Sequence, residues 1–269
     1  MDPVPSEWLN LLLRWFHVFA AILWIGQTWL FTWFEAHFEP SPERSNSAGE
    51  LWMVHSGGFY KVEKHMAPLV LPRALHWFRW EAALTWMSGM GLLLLVYYAG
   101  GLLVDDRVAD IGVGTAASIG LAVLASSWFV YDALCRTPLG RSERGLAASG
   151  FLLIVGLAFG LTRVLSGRAA YMHVGAVLGT LMAANVWVRI LPAQRRMIAL
   201  VEGGGTYDPA LGAQAKLRSK HNTFMVVPLV FIMLSSHFPT LTYGHRYNWL
   251  VLGGFVLLGF LAAKVVRER

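Results

Sequence analysis

The chain has 269 residues, a mean hydropathy of +0.51, 56% hydrophobic residues and 14% charged residues. Soluble domains carry about 25% charged residues, so the deficit points to lipid as the solvent. The net charge of +6 and pI near 9.7 then belong to the loops of a membrane protein, and no nucleic-acid partner is expected. A single cysteine, Cys135, excludes an internal disulfide framework, a cysteine zinc site and a covalent c-type haem, which needs C-x-x-C-H.

The N-terminal "MDPVPSEWLN" has no basic n-region and does not read as a cleaved signal peptide. A helix needs roughly 20 apolar residues to cross the hydrocarbon core. Seven segments qualify: 8–34, 82–100, 111–131, 145–162, 169–188, 223–244 and 247–263. The second, "AALTWMSGMGLLLLVYYAG", and the third, "IGVGTAASIGLAVLASSWFVY", hold no charge. Pro228 should kink the sixth. These spans predict an all-α fold: one integral-membrane domain over 1–269, a polytopic bundle of about seven transmembrane helices. No repeat or low-complexity tract interrupts it, and "EGGGTYDPALG" (202–212) reads as a turn-rich connector.

Lys and Arg number 5, 3, 6 and 3 in segments 35–81, 132–144, 189–220 and 264–269. The opposite side holds only Arg14, Arg107, Arg163, Arg168 and Arg246. The positive-inside rule therefore puts the N-terminus outside and the C-terminus in the cytoplasm. The expected location is the inner (cytoplasmic) membrane of a bacterium. Arg196, Lys216 and Lys220 are most simply topology determinants.

His17, His173 and His237 fall toward the outer ends of their spans, His76 and His221 at inner ends. Ionisable groups at membrane depth are functional candidates, and imidazole is a common axial ligand of haem. The inventory allows one or two haems b. His17, His173 and His237 would hold an outer one, His76 and His221 an inner one. The plain alternative is that each His is a hydrogen-bonding residue between helices. His221 and His237 cannot share a haem, since sixteen residues at 1.5 Å rise put them roughly 24 Å apart. On the first span His17, Ala21, Trp24 and Thr28 share a face. On the fifth, the small stripe Gly175, Gly179 and Ala183 points away from His173 and suits a neighbouring helix, while Asn185 needs a polar partner.

Segment 35–81 is too polar to span and too aromatic for a plain linker. Trp52, Phe59, Tyr60, Trp77, Phe78 and Trp80 suit an interfacial aromatic belt. Lys61, Lys64, Arg73 and Arg79 nevertheless gather with His55, His65, His76 and Glu81. Such a set suits a small planar anion, for which Arg offers a fork and aromatic rings offer stacking. Gly57-Gly58 would let backbone approach a ligand closely. The candidate substrate residues are His55, Tyr60, Lys64, Arg73, Trp77 and Arg79, and the candidate bases are His65 and Glu81.

Four stretches in fixed order resemble the membrane-bound urate oxidase (urate hydroxylase) family. They are "RWFHVFAAILWIGQTW", "HSGGFYKVEKH…LPRALHWFRWEAALTWMSGMGLL", "AAYMHVGAVLGTLMAANVWVRILPAQRRM" and "RSKHNTFMVVPLVFIMLSSHFP". The resemblance implies a multi-helix domain that oxidises urate toward 5-hydroxyisourate and passes electrons to a cytochrome c. The family's histidines fall on His17, His55, His76, His173, His221 and His237, with Ser56 where the family has a glycine. Family members of the urate type continue into a further helix and a cytochrome c domain, whereas this sequence ends at "AAKVVRER". The expected electron acceptor is thus a separate cytochrome c or a respiratory-complex partner. Two readings follow: an oxidoreductase acting on urate or a related molecule, and a non-catalytic dihaem cytochrome b subunit. A transporter is disfavoured because the spans hold almost no acidic residues.

Overall fold

The computed structural model describes residues 3–40, 47–66, 71–206 and 208–267. Helix α1 (Pro3–His37) leads into a hairpin, β1 (Ser47–His55) and β2 (Gly58–His65). Helix α2 (Trp80–Leu93) ends in a π turn, Leu94–Tyr98. Then come α3 (Val113–Leu134), the short α4 (Pro138–Arg141), α5 (Glu143–Leu161) and α6 (Gly167–Ala184). A second π segment, Asn185–Ile190, joins α6 to α7 (Leu191–Glu202) without a break, and α8 (Pro209–Ser235) and α9 (Asn248–Arg267) complete the chain.

Among the described residues, six helices are long and apolar enough to cross a membrane: Val4–His37, Trp80–Tyr98, Val113–Leu134, Glu143–Leu161, Gly167–Glu202 and Asn248–Arg267. The sixth expected span, 223–244, differs. Its helix begins at Pro209 and stops at Ser235, so its first half carries Lys216, Arg218 and Lys220 and only its second half is apolar. Asp208 starts it early, accepting from the Ala210 N–H at 2.9 Å with Pro209 in the first turn. The α8 helix still lies in the bundle, packed on α6 and α9.

The caps of α5 and α6 are legible in the same way. Ser142 accepts from Gly145 N at 3.2 Å and starts α5; Ser166 accepts from Ala169 N at 3.1 Å and starts α6. The core centres on α6, whose Ala169, Ala170, Tyr171, Val174 and Leu178 are wholly buried. Gly175 lets α8 approach: a Cβ there would lie 2.7 Å from Met233 Cε. Gly179 of the same predicted stripe faces open space. Gly259 of α9 likewise admits Pro228 of α8, at 2.8 Å from the Cβ position. Outward, large apolar side chains such as Leu152, Phe129 and Leu121 stay exposed, as lipid-facing residues would.

The contacts sort the elements by end. At one end Tyr171 Oη donates to Asn248 O at 2.6 Å, tying α6 to the start of α9. At the other, Glu35 accepts from Lys64 and, at 2.6 Å, from Lys216, and Lys220 donates to Glu143 at 2.5 Å. The second end therefore gathers the close of α1, the hairpin, the start of α5 and the charged half of α8. That is the end which sequence charge counting makes basic.

Among the described residues, the hairpin is the one addition to the expected all-α architecture. Its two-residue turn has Ser56 at φ 49° and Gly57 at φ 76°, a type I′ arrangement that matches strand twist. Glu39 and Glu50 exchange two backbone hydrogen bonds of 2.9 Å, and Lys64 pairs with Glu35, so the base of the hairpin is fixed to α1. Glu50 and then Glu63, both ion-paired to Lys61, hold its ammonium above the ordinary lysine range.

Candidate functional site

Each candidate histidine has a distinct setting. His17 directs Nδ1 to Thr85 O and Ser88 Oγ of α2, both at 3.0 Å. A carbonyl only accepts, so the ring proton sits on Nδ1 and the Nε2 lone pair is left. Gly89 faces this ring, and a Cβ there would stand 2.9 Å from His17 Cε1. His173 is fully buried and repeats the pattern: Nδ1 lies 2.8 Å from Ala169 O, and Nε2 lies 2.8 Å from Tyr98 Oη. Its facing glycine is Gly120, whose Cβ would lie 2.6 Å from His173 Nε2. Along α2, the Gly89 and Tyr98 levels differ by nine residues, roughly 14 Å.

His221 has the opposite polarity, set by a chain of hydrogen bonds. Arg218 donates to Asn185 Oδ1 at 3.3 Å, so the Asn185 amide donates to Tyr131 Oη at 3.0 Å and Asn222 Oδ1 at 2.9 Å. Tyr131 Oη then donates to His221 Nδ1 at 2.7 Å, placing the ring proton on Nε2. His76 is exposed between the hairpin and α2, and His237 is exposed in the turn after α8.

Beneath His221 lies an ion cluster absent from the sequence reading. Asp132, at the end of α3, accepts from Arg189 Nε at 2.9 Å and again from Arg189 Nη2. It also accepts from Arg218 at 2.8 Å and Arg136 at 2.6 Å. The carboxylate is fully used, so the cluster is a clamp joining α3, the π segment and α8, and no oxygen is left for a ligand. Asn185 finds its partners here. The available signal was an Asp just past an apolar span with Arg136 one turn later.

The candidates of segment 55–81 divide into two groups. His55, Tyr60, Lys64 and His65 ride on the hairpin: His55 and Tyr60 are exposed, Lys64 is paired to Glu35, and His65 Nε2 lies 3.3 Å from Glu63. Arg73 is exposed in the connection. Trp77, Arg79 and Glu81 instead come together at the start of α2. The Arg79 guanidinium lies over the Trp77 ring at 5.9 Å and the Trp80 ring at 5.7 Å. Trp80 meets Trp187 of the π segment edge-on at 5.8 Å. Trp24, Trp77 and Trp187 pack around Ala82, and Gln27 of α1 donates to Glu81 Oε1 at 3.2 Å. Among the described residues, four buried side-chain polar atoms have no hydrogen-bond partner, and three belong to this cluster: Arg79 Nε, Glu81 Oε2 and Trp187 Nε1. Left bare, each such atom costs about 1–3 kcal/mol, so this cluster is where the described polar groups most lack partners.

The fold defines a class: a helical bundle with six helices able to cross a membrane, consistent with a multi-pass membrane protein, and with polar centres held between its helices. Residues 3–269 match the family model described as urate oxidase N-terminal, and the chain belongs to that family. Comparison with curated proteins and with solved structures finds no match.

Proposed function

We propose that this protein is a membrane oxidoreductase of the urate oxidase type, oxidising urate or a close relative at the end of the bundle that holds the hairpin. The observation that carries the reading is the family match over 3–269, joined to the Trp–Arg–Glu cluster at the start of α2. Hydroxylation of urate by water to 5-hydroxyisourate releases two electrons and two protons. Arg79 suits the anionic ring, the indoles of Trp77, Trp80 and Trp187 suit its faces, and Glu81 Oε2 is the oxygen available to take a proton. On the hairpin, His65 is the second candidate base, held beside Glu63.

Of the five candidate ligands, His17 fits haem b. His17 and His173 both carry the Nδ1 proton against a carbonyl, the bond that orients a metal-ligating imidazole, and His17 keeps Nε2 for a metal. At His173 the Tyr98 hydroxyl holds the Nε2 lone pair. His221 is polarised the other way, and His76 and His237 are exposed. A bound haem b would supply one-electron transfer. The natural acceptor is a separate cytochrome c or a respiratory-complex subunit. The charge bias supports a bacterial inner membrane with the hairpin end in the cytoplasm.

The test is a reduced-minus-oxidised spectrum of the detergent-purified protein, with haem stoichiometry from the pyridine haemochrome, followed by addition of urate alone. Sharp b-type bands that urate reduces are the expected result. Bands that urate leaves oxidised would instead make the chain a dihaem electron carrier. Absence of haem under adequate supply removes both redox readings.

A further inference from the structure

We propose that the cleft between the last turns of α1 and α9 holds an anionic phospholipid, its phosphate on Arg267 and a headgroup hydroxyl on His37. The inference goes beyond the functional reading above and asks only that the bundle lie in a membrane.

The cleft measures about 240 Å³, with Trp29, Thr32, Trp33 and His37 of α1 facing Val266 and Arg267 of α9. It lies at the end of the bundle where Glu35 meets Lys64 and Lys216, the end that gathers the basic loops. Two indoles at the close of a span suit the level of lipid headgroups. Trp33 and Val266 stay 41% and 56% exposed, so the cleft is open. Elsewhere α1 packs mainly on α2, so a lipid seated here would tie its far side to α9.

The polar groups of the cleft are held in place and incompletely used. Arg267 donates Nη1 to Thr223 Oγ1 at 3.0 Å and lies over the Phe224 ring at 5.8 Å. Among the described residues no carboxylate forms an ion pair with it. The two acids whose charge reaches it are engaged elsewhere, Glu35 by Lys64 and Lys216, and Glu143 by Lys220. The guanidinium thus has donors left for an anion. His37 stacks on Trp33 at 4.5 Å and directs Nδ1 to Trp33 O at 2.9 Å. A carbonyl only accepts, so the ring proton sits on Nδ1 and Nε2 accepts. On its other side His37 borders a second cleft with Glu39 and Glu50. Those carboxylates keep the phosphate on the Arg267 side and leave the hydroxyl for the imidazole. A cation with spare donors, an oriented acceptor and an apolar wall complement phosphatidylglycerol. Phosphatidylcholine neutralises its own phosphate and has no hydroxyl. Basic pockets between helices are a common seat for anionic headgroups.

The experiment is native mass spectrometry of the full chain in detergent, with phosphatidylglycerol, phosphatidic acid or phosphatidylcholine of the same acyl chains. The parent is expected to hold phosphatidylglycerol about tenfold more tightly than phosphatidylcholine. Arg267→Gln should abolish that preference, while Arg163→Gln, an exposed arginine at the opposite end, should keep it. His37→Ala should bring phosphatidylglycerol down to the level of phosphatidic acid. Should Arg267→Gln fail to fold by circular dichroism, Val266→Trp decides, since it fills the cleft and keeps the charge; it is expected to lose the lipid. Equal retention of phosphatidylglycerol and phosphatidylcholine by the parent overturns the proposal. So does an undiminished preference in Arg267→Gln or Val266→Trp. Displacement of the lipid by excess inorganic phosphate would make the cleft a site for the free anion, and overturns it too.

Discussion

Asp132 shows how unequal the members of one ion cluster are. Asp132 and Arg218 are both nearly buried, with side chains 9% and 7% exposed, whereas Arg136 is 66% exposed. Removing the carboxylate strands Arg189 and Arg218 without their counter-charge. Asp132→Asn is expected to cost about 3–5 kcal/mol, against under about 1 kcal/mol for Arg136→Ala. Urea unfolding in detergent micelles, followed by tryptophan fluorescence, measures both. A similar loss in the two variants would mean that the cluster acts as a surface feature. At this scale the sequence told half the story. The polar Asn185 inside an apolar helix announced a need for partners. Which partners could not be read, because Tyr131, Asn222 and Arg218 come from α3 and α8, far along the chain. The tautomers of His17 and His221 were equally out of reach: they depend on a carbonyl of α2 and on a hydroxyl of α3.

Elements were legible where composition alone decides them. Hydropathy placed α1, α2, α3, α5, α6 and α9 within a few residues, since a long uncharged run has few alternatives. It misplaced the end of the sixth span, because 236–244 is apolar enough to pass yet folds as a series of turns. The hairpin escaped notice. Its strands mix Glu, Lys, Trp and Met on both faces, so the two-residue alternation that marks a strand is blurred. Its turn was visible in principle, and Gly57 serves that turn through its positive φ. Gly57→Ala is expected to strain the turn by about 1–2 kcal/mol. Amide hydrogen exchange should then speed up across 50–63 by roughly 5–30-fold, with α2 unchanged. An unchanged hairpin would show that the base contacts with α1, rather than the turn, hold the register.

At the scale of the molecule, the arginines and lysines of four separate loops meet at one end of the bundle, with the few acids that pair with them. The charge bias predicts that this end faces the cytoplasm. In a Cys135→Ser background, Gly57→Cys and His245→Cys should react with a membrane-impermeant maleimide from opposite sides, position 245 in intact cells and position 57 only after lysis. Labelling of both from the same side would break the assumed crossing order. The candidate substrate cluster lies at the same end as the hairpin. Sequence reading had drawn His55, Lys64 and Trp77 into one place; the fold keeps Trp77 with α2 and carries the others off on the strands.

The unbroken helix from Gly167 to Glu202 has a consequence for the shape of the whole particle. Thirty-six residues at 1.5 Å each make a rod of roughly 54 Å, nearly twice the 30 Å of hydrocarbon it has to traverse. Helix α1, at 35 residues, is nearly as long, so two rods of the bundle outrun the hydrocarbon and extend beyond it.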